Sequence, residues 1–190
     1  MSECWLDERP VVHGFNDLAL AESGDVYVSD SSTNSIYRLP RGECKLEKVL
    51  QDPRMSFPNG IVLSPDESRL YVAHIEGLSF IDLQTGHRTA LAVPTNTAVN
   101  SMDGLTRDGA DLIGIQPSPH LARIARIRLS EDGTTVREVV TVSSPPPAGT
   151  SQTTGVVVGT HFYSVAGVLD PLVAANEPDR RARILRANLR

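Results

Sequence analysis

Cysteine, lysine and aromatic side chains are scarce in this 190-residue chain, and each scarcity closes off a class of protein. Only Cys4 and Cys44 carry thiols, and they follow no metal or redox spacing; two reduced cysteines in a cytoplasmic protein are the expectation. Lysine stands only at Lys45 and Lys48, and 18 basic residues face 23 acidic ones, for a formal charge of -5. That balance gives no reason to expect nucleic acid as a partner. The five arginines crowded into the last eleven positions read as the solvated face of a terminal strand. No apolar run nears the roughly 20 residues needed to cross a bilayer, so no membrane partner is expected. The opening stretch MSECWLDERP lacks the layout of a secretion signal. What remains is an ordinary globular composition, 40% apolar and 22% charged.

What the chain has instead is repetition. Phe15-Asn16-Asp17-Leu18, Pro58-Asn59-Gly60-Ile61, Met102-Asp103-Gly104-Leu105 and Thr153-Thr154-Gly155-Val156 align. Their polar second members stand at 16, 59, 103 and 154, in steps of 43, 44 and 51. After each comes a short apolar strand, a turn and a second strand: LALAESGDVYVSD, IVLSPDESRLYVAH, LTRDGADLIGIQ and VVVGTHFYSVAG. The turn residues, such as Ser23-Gly24-Asp25 and Pro65-Asp66-Glu67, are those a hairpin needs. Further strands are expected at 35–39, 46–50, 78–83, 89–93, 122–129 and 136–142, with a single one at 183–189 in the last unit. About four strands per unit of about 45 residues is the signature of an all-β propeller. The repeats fall at roughly 15–57, 58–100, 101–150 and 151–190.

In a propeller the innermost strands all start at one rim of a central channel, so Asn16, Asn59, Asp103 and Thr154 are expected to converge on one axial site. The ends of the second strands bring Asp30, His74 and Gln116 to the same face as a second ring. Each residue also has a plain structural reading. Asn-Gly and Asp-Gly are common turn pairs, and Asp30 and His74 suit hydrogen-bonded strand ends. His13, His87, His120 and His161 read as surface residues, and the proline-bearing stretch 143–154 reads as a loop on the axial face that could act as a partial lid.

The segments FNDLALAESGDVYVSD, PNGIVLSPDESRLYVAH and MDGLTRDGADLIGI, in that order, resemble the senescence marker protein/gluconolactonase family of regucalcin-like, six-bladed propellers. The resemblance implies a single divalent metal (Ca²⁺, Zn²⁺, Mg²⁺ or Mn²⁺) with Asn59 and Asp103 among its ligands, and Asn16 lining the substrate pocket. It implies a metal-dependent hydrolase of a small lactone or ester. The residues' own chemistry adds that Asp103 could double as base through a bound water, with His74, whose unperturbed pKa is near neutral, the second choice as a proton shuttle. Two departures stand out. The family's glutamate ligand belongs to a first blade for which this chain has no counterpart, and a lactone-binding arginine is replaced by Gly14. They keep alive the alternatives of a non-catalytic binding propeller and of an inactive fragment of a larger hydrolase. Six such blades take about 260 residues, so four are expected here. They are either the last four of a six-bladed propeller, which is the favoured reading, or closed as a compact four-bladed ring; the first leaves open edges that invite self-association.

Overall fold

Among the described residues, strand alternation and turn chemistry give fifteen strands and no helix. The computed structural model describes residues 4–6, 11–117, 122–143, 151–167 and 183–190. The strands form four antiparallel sheets. The first contains β1 (Phe15–Leu20), β2 (Val26–Asp30), β3 (Ser35–Leu39) and β4 (Glu47–Gln51). The second contains β5 (Ile61–Leu63), β6 (Arg69–His74), β7 (Gly77–Asp82) and β8 (Arg88–Ala90). The third is β9 (Leu105–Asp108), β10 (Asp111–Gln116), β11 (Arg123–Leu129) and β12 (Val136–Ser143). The fourth has three strands: β13 (Ser151–Val158), β14 (His161–Gly167) and β15 (Arg183–Asn188). Each sheet meanders in chain order from an inner to an outer strand, and the four make up a β-propeller. The stretch expected as a lid lies largely outside the described residues.

The core lies between the sheets, because each strand turns alternate side chains to its two flanks. Ile36 and Tyr27 of the first sheet pack with Ile61, Leu63, Leu70 and Val72 of the second. Tyr71, Leu78 and Phe80 on the other flank of the second sheet meet Leu105, Leu112 and Ile127 of the third. Ile113, Ile115 and Ile124 then pack on Phe162, Ala187 and Leu189 of the fourth. Among the described residues no cluster joins the fourth sheet to the first, so the described blades form an arc whose two outer flanks meet no partner sheet.

The cysteines depart from expectation: Cys4 and Cys44 are joined in a disulfide across 40 residues of sequence. Trp5 pairs in parallel with Lys45, its N–H donating to Cys44 O at 3.1 Å and its carbonyl accepting from Leu46 N–H at 3.1 Å. That contact lays the two thiols side by side, which sequence spacing could not reveal. The pairing also removes the ground for expecting a reducing compartment. Among the described residues no helix is long and apolar enough to cross a membrane.

Candidate functional site

Where the inner strands begin, backbones from neighbouring blades come very close. A Cβ on Gly60 would stand 2.3 Å from Leu105 N and 2.5 Å from Asp103 O, and one on Gly104 would stand 2.6 Å from Thr153 O. Neither glycine adopts a positive φ, so each is required by this approach and not by turn geometry. Gly60 N–H donates to Asp103 O at 2.8 Å, tying the second blade to the third. The residue before each glycine therefore lies beside the axis.

A cavity of about 250 Å³ opens there, lined by Asn16, Asp17, Asn59, Asp103, Gly104, Thr153 and Thr154. The structure thus brings Asn16, Asn59, Asp103 and Thr154 to one place. Asn16 is oriented by donating from Nδ2 to Ser31 Oγ at 3.0 Å. Asn59 is anchored through its backbone, with its N–H donating to Ala73 O at 2.8 Å and its carbonyl accepting from Ser29 Oγ at 2.8 Å.

Asp17 is the residue that the sequence did not single out, and Asp103 is therefore not the sole carboxylate of the rim. One Asp17 oxygen accepts from Ile61 N–H of the next blade at 2.9 Å, the other from Leu18 N–H at 2.9 Å. The available signal was its position: at the mouths of the other three blades the corresponding residue is Gly60, Gly104 or Gly155. Burial raises the pKa of Asp17 above the ordinary carboxylate value, against the pull of those two N–H groups. Burial likewise raises Asp103; the Asn59 carboxamide opposes the rise and the Asp17 charge adds to it. None of the described lining residues is basic. Two partly buried carboxylates thus line one cavity whose described walls carry no basic side chain.

Such a site suits a cation. Among the described residues no three His, Cys, Asp or Glu side chains gather to hold a metal. The donors here are two carboxylates and two carboxamides, all oxygen, which match Ca²⁺, Mg²⁺ or Mn²⁺ better than Zn²⁺.

The second ring does not reach this cavity. His74, 3% exposed, has Nδ1 on Glu76 at 2.9 Å and Nε2 on Ser79 Oγ at 2.8 Å, and it borders a separate hollow with Arg54 and Arg88. Both ring nitrogens are engaged, and burial lowers its pKa. Asp30 is fully buried and clamps the start of the first blade, accepting from Gly14 N–H at 2.9 Å and Thr33 Oγ1 at 2.7 Å and meeting His13 Nδ1 at 2.5 Å. Burial pushes Asp30 up, but these bonds together hold it below its ordinary value. His13, expected at the surface, is instead packed between Phe15 and Tyr37. Gln116 donates to Asn100 O at 2.8 Å and accepts from Arg123 Nε at 3.1 Å. These residues act as strand-end fasteners.

No protein-family model matches the chain, and no curated protein matches it. Solved structures do. Regucalcin, a calcium-binding protein from Agrobacterium tumefaciens, is similar at 18% identity and a TM-score of 0.62, over 93% of this chain and 62% of its own. Luciferin-regenerating enzyme is similar at 16% identity and a TM-score of 0.64, over 93% and 61%. A chain of a nidogen/laminin complex is similar at 16% and 0.65, over 96% and 72%. The likeness is one of fold. Its breadth, from a calcium-binding protein to a nidogen/laminin complex, leaves function to be argued from the site.

Proposed function

We propose that the axial cavity is the active site of a metal-dependent hydrolase of the lactonase type, acting on a small lactone or ester. One observation carries the reading: Asp17 and Asp103, both held above the ordinary carboxylate pKa, line a cavity with no basic side chain among its described residues. A divalent cation would relieve that repulsion. Asp103 and Asn59 would hold it, with Asp17 adding the second negative charge.

Bound there, the cation would supply Lewis-acid polarisation of an ester carbonyl. The chain's own residues do the rest. Asn16, fixed by Ser31, presents a carboxamide that can orient the substrate. A water oxygen adds to the carbonyl carbon while its proton passes to an Asp103 carboxylate oxygen. The ring or ester C–O bond then breaks and the departing alkoxide takes that proton, leaving a hydroxy acid or an acid and an alcohol. His74 has no part in this scheme, since its ring is occupied elsewhere. The likeness in fold to regucalcin and luciferin-regenerating enzyme supports the reading without carrying it.

The test is hydrolysis of a panel of lactones and small esters with and without Ca²⁺, Mg²⁺, Mn²⁺ or Zn²⁺. Asp103→Ala is expected to lower a metal-dependent rate by about 10²-fold or more. Activity unchanged in that variant overturns the assignment. A non-catalytic binding propeller is the second reading, favoured by the lack of any other titratable group among the described lining residues. Calorimetric binding of the metal without turnover of any substrate would decide for it.

A further inference from the structure

Every junction within the arc is built in the same way. The flank bearing Tyr27 in the first sheet, or Tyr71 in the second, meets the opposite flank of the following sheet. Strand register shows which residues of the first sheet correspond to that opposite flank. Leu18 stands across from Val28 and Leu20 from Val26, as Ile61 stands across from Val72 and Leu63 from Leu70. In the second sheet Ile61 and Leu63 are 3% and 5% exposed beneath the first. Leu18 and Leu20, in the same repeat positions, are 64% and 67% exposed.

The far end of the arc shows the complementary half. Phe162 and Val157 turn into the junction with the third sheet. Their alternates Val156, Val158 and Val165, with Ile184 on β15, are 51–75% exposed. The two flanks left over are therefore one leading flank and one trailing flank, the two kinds that mate at each internal junction. Apolar patches of this sort mark contact surfaces.

We propose that the trailing flank of the fourth sheet in one copy packs on the leading flank of the first sheet in a second copy, so that the chain associates head to tail. The occupant follows from the repeat: one polypeptide carries both halves of an interface that it already makes with itself three times. Such a contact is heterologous, closing into a ring if the arcs fit and extending into a filament if they do not. Like-on-like pairing would need a junction that the arc uses nowhere.

The experiment is sedimentation velocity on the full chain at about 1–100 µM, where contacts of micromolar affinity are populated. Wild type is expected to associate with rising concentration. Leu18→Glu blocks only the leading flank and Val158→Glu only the trailing flank, so each variant alone is expected to be monomeric. Mixed together they should form a dimer holding one copy of each, because each keeps the flank that the other lacks. Leu20→Glu and Ile184→Glu serve as a second pair, with far-UV circular dichroism confirming that each variant is folded. A monomeric wild type, variants that still associate alone, or a mixture that stays monomeric overturns the proposal.

Discussion

The second blade and the first are the same repeat in two settings. Ile61 and Leu63 lie under a neighbouring sheet, while Leu18 and Leu20, identical in register, are exposed. At the mouth of the inner strand the pair differ again. The second blade offers Gly60, whose N–H bonds directly to the third blade's Asp103 O; the first offers Asp17, whose carboxylate spans the gap to Ile61 N–H. The repeat thus sets the fold, and the neighbours decide what each position does. Where backbones touch, a glycine closes the junction; where they stand apart, a charged side chain fills it and enters the axial cavity.

The sharpest break in the comparison is electrostatic. Asp52 meets Arg88 of β8 at 2.8 Å, with side chains only 7% and 10% exposed, and also holds Arg54. Asp25 meets Arg38 at the first blade's surface, where the arginine is 39% exposed. Asp52→Ala is expected to cost about 3–5 kcal/mol by stranding a buried charge. Asp25→Ala is expected to cost about 1 kcal/mol or less. Hydrogen bonds from Arg54 and then Arg88 hold Asp52 well below the usual carboxylate range despite burial. Its stabilisation is therefore present above the unfolded value of about 4 and lost as pH falls through the lowered folded value. Urea midpoints across that acid window should converge for wild type and Asp52→Ala.

Next in size is the paired truncation. Ile61→Ala removes a core side chain and is expected to cost about 2–5 kcal/mol. Leu18→Ala, its repeat mate, is expected to stay within about 0.5 kcal/mol for the monomer. Denaturant unfolding at low protein concentration measures both; equal costs would show that Leu18 is covered after all. Asp17→Ala should fall between them, at about 1–3 kcal/mol, because it leaves Ile61 N–H without its acceptor.

Much of this was legible in the sequence because it is encoded locally. The spacing of Asn16, Asn59 and Asp103, with hairpin turns at fixed offsets, is enough to place the inner strands and gather those side chains on one axis. Strand limits moved by a residue or so, most at β8, which stops at Ala90 where a strand to Val93 was expected. The less legible features depend on contacts between segments distant in sequence. Cys4 meets Cys44 only because Trp5 pairs with Lys45. His74 looked like a rim residue until Glu76 and Ser79 were seen to occupy both of its nitrogens. Asp17 was passed over because the aligned blades have glycine there, although that difference was itself the clue.

The smallest expected effect tests the cavity where the two blades differ. Burial, and then the charge of Asp17, raises the Asp103 pKa, while the Asn59 carboxamide pulls against them. A carboxyl raised in the folded state contributes its full stability below the unfolded value of about 4 and loses it as pH rises through the folded value. Asp103→Asn removes that loss, so the metal-free variant should be more stable than wild type at neutral pH. The difference should vanish below the ordinary carboxylate range, where both forms are neutral. Added calcium should reverse the order, since a ligand stabilises only the form that binds it. Urea midpoints at neutral and acid pH, with and without calcium, read out all three outcomes. A variant already weaker than wild type in chelator at neutral pH would mean that Asp103 is satisfied by the protein itself and that the cavity has no need of a cation.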